Sequence, residues 1–141
     1  MKILNLGCGF DKRGFGIDIN PECKPDLIAD VCKPLPIKKK FDYVIAIDVL
    51  EHVLQPRILI ENMLKHVKAN GSCYIVSPSA LAYEINFRFH RGQDKINEPT
   101  MQYLTPCVVK GIINRIGGKV IWQSIGCKYW VRPIRIRFKG E

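Results

Sequence analysis

Four short apolar runs in the first 48 residues, each stopped by glycine or aspartate, limit what this chain can fold into more than any other feature. Ile3-Leu4-Asn5-Leu6 leads into Gly7-Cys8-Gly9, and Gly16-Ile17-Asp18-Ile19 ends at Asn20-Pro21. Leu27-Ile28-Ala29 ends at Asp30, and Tyr43-Val44-Ile45-Ala46-Ile47 ends at Asp48. None is long enough for a helix, so all four read as buried strands. Three of them finish on an aspartate and the first on glycines. In an open parallel sheet the carboxyl ends of the strands line the ligand crevice. The pattern therefore gathers a bare loop and a row of carboxylates along one edge.

The rest of the chain alternates as a βαβ unit should. Pro56, preset for a first turn, opens a helix carrying Leu59, Met63 and Val67 on one face, with Glu61 spaced to pair with Lys65 and Asn70-Gly71 as the stop. A fifth strand is expected over 72–76. From 80 to 104 the periodicity is poor and aromatic, basic and polar residues mix, which suggests a functional segment or lid. Thr105-Pro106 caps a second helix with Val109, Ile112, Ile113 and Ile116 inward and Gly117-Gly118 beyond its end. Two closing strands are expected over 119–125 and 129–138. In the second, Ile134, Ile136 and Phe138 alternate with Arg135, Arg137 and Lys139, and Pro133 suits an edge or a bulge. At 141 residues, one domain with one core is the expectation.

Charge and cysteine narrow the function. Lys and Arg number 22 against 13 Asp and Glu, a net charge of +9 that attracts anions such as nucleic acid or phosphorylated compounds. The basic residues are spread, however, and runs such as Lys38-Lys39-Lys40 read first as solvated faces. Six cysteines form no C-x-x-C pair, so a structural zinc is not expected. No apolar stretch approaches the ~20 residues that span a bilayer, and Met1 enters a strand pattern at once, so the expectation is a cytoplasmic protein with reduced thiols.

A glycine loop after a first strand suits a dinucleotide or another adenosine-containing ligand. The dinucleotide fingerprint fails, because Lys12 stands where its third glycine belongs and Asp18 arrives too soon for a helix to intervene. A P-loop is excluded by the lack of G-K-[ST]. The pattern suits a ligand with no phosphate and a positive charge. One carboxylate can accept from ribose hydroxyls, another from an adenine amino group, and others can face an ammonium. S-adenosylmethionine carries all three groups.

The ordered set of 3–9, Gly16-Ile17-Asp18-Ile19, Ala29-Asp30-Val31 with Leu35-Pro36, Phe41-Asp42-Tyr43-Val44 and Asp48-Val49-Leu50-Glu51-His52-Val53 resembles class I S-adenosylmethionine-dependent methyltransferases of the type 11 group. Asn70-Gly71 and Leu104-Thr105-Pro106 extend the likeness over nearly the whole chain. The resemblance implies an α/β, Rossmann-like fold with a mostly parallel seven-stranded sheet, an antiparallel last strand and reduced first crossover helices. It also implies methyl transfer from that cofactor. Carried over, Gly7, Cys8 and Gly9 lie against the methionine part, Asp18 with Ile19 beside it holds the ribose, Asp30 and the Val31 backbone read the adenine, and Asp48 closes the pocket near the sulfonium. Asn5 stands where an acid is common in the family, which shifts recognition of the methionine end toward backbone. The reduced connections leave one sheet face thinly covered, with room for a homodimer or a partner.

Asp42 precedes its strand and reads as structural. Asp48, Glu51 and His52 read first as pocket architecture, and second as a magnesium or manganese site. The sulfonium methyl is already activated, so the enzyme's work is positioning and excluding water, with a base added for an oxygen acceptor. His52 is the first candidate base and His90 the second, while Thr100 stands near a place where relatives often carry histidine. Tyr83, Phe87, Arg88, Phe89, Arg91 and Tyr103 suit an aromatic or anionic acceptor, with a small molecule preferred. The rival readings are a non-catalytic cofactor-binding or docking module, and an RNA methyltransferase, for which neither an N-P-P-Y type motif nor an RNA-binding module is visible.

Overall fold

The computed structural model describes residues 1–78, 104–125 and 133–140. Seven strands, β1 (Ile3–Leu6), β2 (Phe15–Asp18), β3 (Leu27–Ile28), β4 (Phe41–Ile47), β5 (Val67–Pro78), β6 (Gly118–Ile125) and β7 (Pro133–Gly140), form one sheet in the order β3-β2-β1-β4-β5-β7-β6. β1 to β5 pair in parallel, and β7 runs antiparallel to both its neighbours. Among the described residues two helices, α1 (Pro56–His66) and α2 (Pro106–Arg115), follow β4 and precede β6. This is the fold that the resemblance implied, reduced crossovers included.

Strand alternation decides where the core lies. Val44 and Ala46 of β4, Cys73 and Ile75 of β5, and Ile136 and Phe138 of β7 point to one face, where they close against Leu59, Ile60 and Met63 of α1 and Val109 and Ile113 of α2. All are essentially inaccessible, and each large side chain so buried contributes about 1.5–3 kcal/mol. Tyr43, Ile45, Ile47, Tyr74 and Val76 alternate to the other face and stay half-buried. There the Tyr43 and Tyr74 rings lie 5.9 Å apart, and Arg137 sits 5.5 Å over Tyr74 while donating to Ser72 Oγ from Nε and Nη2.

The missing crossover helices are replaced by polar staples. The β1–β2 loop is tied to the β2–β3 connection by Lys12 Nζ, which donates to the carbonyls of Cys23 (2.7 Å) and Lys24 (2.9 Å). Asp26 accepts from the Gly16 amide at 2.7 Å. The β2–β3 connection holds only a 3-10 turn, Pro21–Cys23, capped by the Asn20 side chain. Residues 29–40 lack a helix as well and are fastened to α1: Asn62 Nδ2 donates to the carbonyls of Val31 and Lys33, both at 2.8 Å, and a His66 ring nitrogen lies 3.2 Å from the Ile37 carbonyl.

Three local expectations are corrected. α1 stops at His66, not at Asn70-Gly71, because Val67 is already extended (φ −85°, ψ 144°) and pairs with Phe41. Val67 fits the helical spacing, but a β-branched residue beside an open strand edge gains more from the ladder. Gly71 then sits in a register irregularity of β5, where a Cβ would lie 2.6 Å from the Asp42 carbonyl oxygen. Glu61 pairs with Arg57 (2.8 Å), one turn back, instead of Lys65. Pro133 opens β7, an interior strand, at the end of its pairing with β5, where no further ladder bond is needed from it. The second helix, its Thr105 cap and its turn at Gly117 stand as expected. The segment 80–104, the residues proposed there to shape the acceptor pocket, His90, Thr100 and the start of the last expected strand lie outside the described residues, Leu104 excepted. Among the described residues no helix is long and apolar enough to cross a membrane.

Candidate active site

The carboxyl ends of β1, β2 and β4, together with the segment after β3, surround a cavity of about 690 Å³. Its floor is the glycine loop. Gly7 and Cys8 donate their amides to the Ile17 carbonyl at 2.8 and 3.0 Å, which turns the chain sharply off β1. Gly7 adopts φ +66°, and a Cβ there would overlap the Val49 side chain, so only glycine lets the two loops approach this closely.

Asp18 is held at the rim by the loop itself. Its Oδ2 accepts from the Gly9 amide at 2.7 Å and its Oδ1 from the Asn20 amide at 2.9 Å. A carboxylate offers about four lone-pair sites, so two remain for a ligand. Asp30 caps its own turn, accepting from the Cys32 amide at 2.8 Å with Lys33 Nζ 3.8 Å away. The Val31 carbonyl is committed to Asn62.

The wall after β4 carries the titratable groups. Asp48 is a non-glycine residue in the left-handed region (φ +52°), fixed by its amide to the Val76 carbonyl at 2.9 Å. Such backbone strain persists where surrounding structure enforces it, often at functional sites. Burial pushes the Asp48 carboxyl above its ordinary range, opposed by His52. Glu51, 4% exposed, lies behind this wall with Oε2 accepting from Ser77 Oγ at 2.9 Å and Oε1 4.0 Å from His52 Nε2. Burial pushes its carboxyl up as well, against its own backbone amide and Ser77.

All nine residues singled out from the sequence, Gly7, Cys8, Gly9, Asp18, Ile19, Asp30, Val31, Asp48 and His52, line this one cavity. Asn20, Cys23, Cys32, Lys33, Leu54 and Gln55, to which the sequence assigned no role in the site, line it too. They lie in the loops that follow β2, β3 and β4, and that placement was the signal that could have found them. Cys8 and Cys32 are free thiols. Burial raises Cys8 and Cys32, seconded by Asp18 for the first and Asp30 for the other. Asp42 is structural, accepting from Lys68 Nζ at 2.7 Å and from the Lys2 amide at 2.6 Å. Buried Asn5 donates to Asp11 at 3.1 Å, so a carboxylate stands beside the position where the family commonly has one. Among the described residues no group of three His, Cys, Asp or Glu is placed to hold a metal ion.

Comparison with known proteins agrees with this architecture. The sequence profile of a family described as "Methyltransferase domain" matches residues 2–117. No curated protein matches the chain by sequence search. Among solved structures, an S-adenosylmethionine-dependent methyltransferase from Clostridium acetobutylicum superposes with a TM-score of 0.75 at 12% identity, covering 99% of this chain and 83% of that one. Magnesium protoporphyrin IX methyltransferase from Synechocystis, with bound S-adenosylhomocysteine, gives 0.72 at 13% identity, covering 100% and 74%. A glycopeptide N-methyltransferase bound to the same product gives 0.74 at 13% identity, covering 99% and 81%. At such identities the superpositions speak for the fold, whereas the profile spans most of the sequence, and on that match this chain belongs to the methyltransferase-domain family.

Proposed function

We propose that the protein transfers a methyl group from S-adenosylmethionine to a small-molecule acceptor. The observation that carries this reading is the Asp18 carboxylate, fixed by the Gly9 amide at 2.7 Å on the rim of a cavity floored by a left-handed glycine turn. Bound there, the cofactor would supply an activated methyl on a sulfonium. Gly7, Cys8 and Gly9 would lie along its methionine part, and Asp18 would accept from the ribose hydroxyls with its two spare lone pairs. Ile19, 69% exposed at the rim, would cover the nucleoside. Asp30 and the Val31 amide would read the adenine edge, and the Val31 carbonyl, held by Asn62, fixes that amide's direction. Asp48 would face the sulfonium, whose positive charge would offset the desolvation that raises its carboxyl. His52 would take the acceptor's proton. Raised thiol pKa values suit the same site, because a thiol is a far weaker nucleophile than a thiolate toward a methyl donor.

Solved neighbours include enzymes named for a porphyrin and for a glycopeptide, which favours a discrete molecule as acceptor over nucleic acid. Calorimetric titration with S-adenosylmethionine and with its demethylated product tests the reading. Saturable binding is expected, weakened roughly 10- to 150-fold in Asp18→Ala if one charged hydrogen bond's worth of affinity, about 1.5–3 kcal/mol, is lost. Absence of binding, or an Asp18→Ala chain that binds as the parent does, rejects it. Binding without turnover across acceptor panels moves the reading to a non-catalytic module.

A further inference from the structure

We propose that Glu51, which does not line the cavity, is a positioning residue that sets the orientation and charge state of His52. The inference rests on the reading of His52 as the base given above. Its ground is geometric. Glu51 belongs to the turn that carries Asp48, Val49 and His52, and Ser77, at the carboxyl end of β5, donates to its Oε2 at 2.9 Å. The other oxygen, Oε1, stands 4.0 Å from His52 Nε2. One carboxyl group thereby joins the turn after β4 to the end of β5 and sets its other oxygen against the imidazole.

Glu51 has the burial of a core residue and the chemistry of a surface one. An acid at this depth is retained at a cost unless it is paired or hydrogen-bonded. Among the described residues, the groups that bear on it are its own backbone amide, Asp48 and His52 from the same turn, and the Ser77 hydroxyl from β5. Across the cavity stand Asp18, Asp30 and Lys33, which line the same space. Of these, His52 is the group whose protonation sets a positive charge 4.0 Å from Glu51.

The consequence for the reaction follows. With the cofactor bound, attack of the acceptor atom on the methyl carbon would break the C–S bond with its electron pair left on sulfur, and the acceptor's proton would move to the His52 imidazole. The imidazolium so formed faces the Glu51 carboxylate, which stabilises it and holds the ring toward the cavity. Charge developing at His52 is thus met by a group already in place.

The test is an NMR titration of the histidine ring signals, with His52 assigned by its loss in His52→Gln. In Glu51→Gln, which keeps the side-chain shape and a partner for Ser77, the His52 midpoint should fall by about half a unit or more. Glu61→Gln, on the solvent face of α1, should leave it unchanged. A His52 midpoint equal in Glu51→Gln and parent overturns the proposal. If Glu51→Gln does not fold, the parent labelled with carbon-13 at glutamate carboxyls serves: the Glu51 signal should show an inflection at the His52 midpoint, and a signal blind to that step overturns the proposal. The titration needs neither cofactor nor acceptor. A chain that binds S-adenosylmethionine while His52 ignores Glu51 refutes this inference alone, and a chain that fails to bind refutes the functional reading alone.

Discussion

Replacing Gly7 by alanine should be among the most damaging small substitutions in the molecule, and its cost has two separable parts. The first is conformational: Gly7 sits at φ +66°, and an L residue held in the left-handed region costs about 1–2 kcal/mol. The second is steric. The added methyl would overlap Val49 Cγ2 and lie 2.8 Å from Cγ1 and 3.2 Å from Cβ, and forced overpacking of this kind costs about 1–3 kcal/mol. Together these give about 2–5 kcal/mol, a large share of the ~5–15 kcal/mol that holds a domain folded. Urea unfolding of the parent, Gly7→Ala, Val49→Ala and the double variant separates the parts. Val49→Ala alone should cost about 1.6 kcal/mol for two buried carbons, but in the Gly7→Ala background it removes the overlap, so the two changes should couple by about 1 kcal/mol or more. A Gly7→Ala chain within 0.5 kcal/mol of the parent, or strict additivity in the cycle, would refute the close-approach argument.

Three further outcomes follow from the same geometry. Glu51 has a folded-state pKa above its unfolded one, so the folded chain holds its proton longer; parental stability should decline as pH rises from the ordinary carboxylate range through the raised value, and the advantage of Glu51→Gln should grow over that window and then level off. Urea midpoints taken between about pH 4 and pH 8 read this directly, and an advantage independent of pH contradicts it. Asn62→Ala leaves the Val31 and Lys33 carbonyls without their donor and should cost about 2–4 kcal/mol, together with weaker cofactor binding because Val31 lines the cavity; unchanged stability by thermal and urea unfolding would remove Asn62 as the anchor of that segment. Thr105→Ala should cost only about 0.5–1 kcal/mol, since the capping bond to the Val108 amide is long at 3.4 Å, and a loss of several kcal/mol in the same unfolding assay would mean that Thr105 does more than cap.

What could be read from the sequence was the part governed by local rules. Apolar runs of strand length stopped by Gly7-Cys8-Gly9, Asp18, Asp30 and Asp48 identify the edge of a parallel sheet, because in that topology every such stop falls at the same end. Spacing alone located the glycine floor and the acids around it. Where two local rules competed, the sequence could not arbitrate: Val67 satisfies a helical stripe and a strand equally well, and only the open edge of β4 decides for the strand. The same holds for Glu61, spaced equally from Arg57 and Lys65, which takes the former.

The tertiary structure alone decided how a chain short of crossover helices holds its loops. Lys12 reaching two carbonyls, Asp26 reaching Gly16 and Asn62 reaching Val31 and Lys33 are side-chain bonds between segments 10 to 31 residues apart, and no periodicity announces them. It likewise placed Glu51 in the interior beside Ser77, which an exposed-looking Glu-His pair in the sequence does not suggest. Periodicity and turn chemistry act over a few neighbouring residues and are written along the chain, whereas a buried polar group finds its partner wherever the fold brings a donor or acceptor within about 3 Å, and that distance exists only after folding.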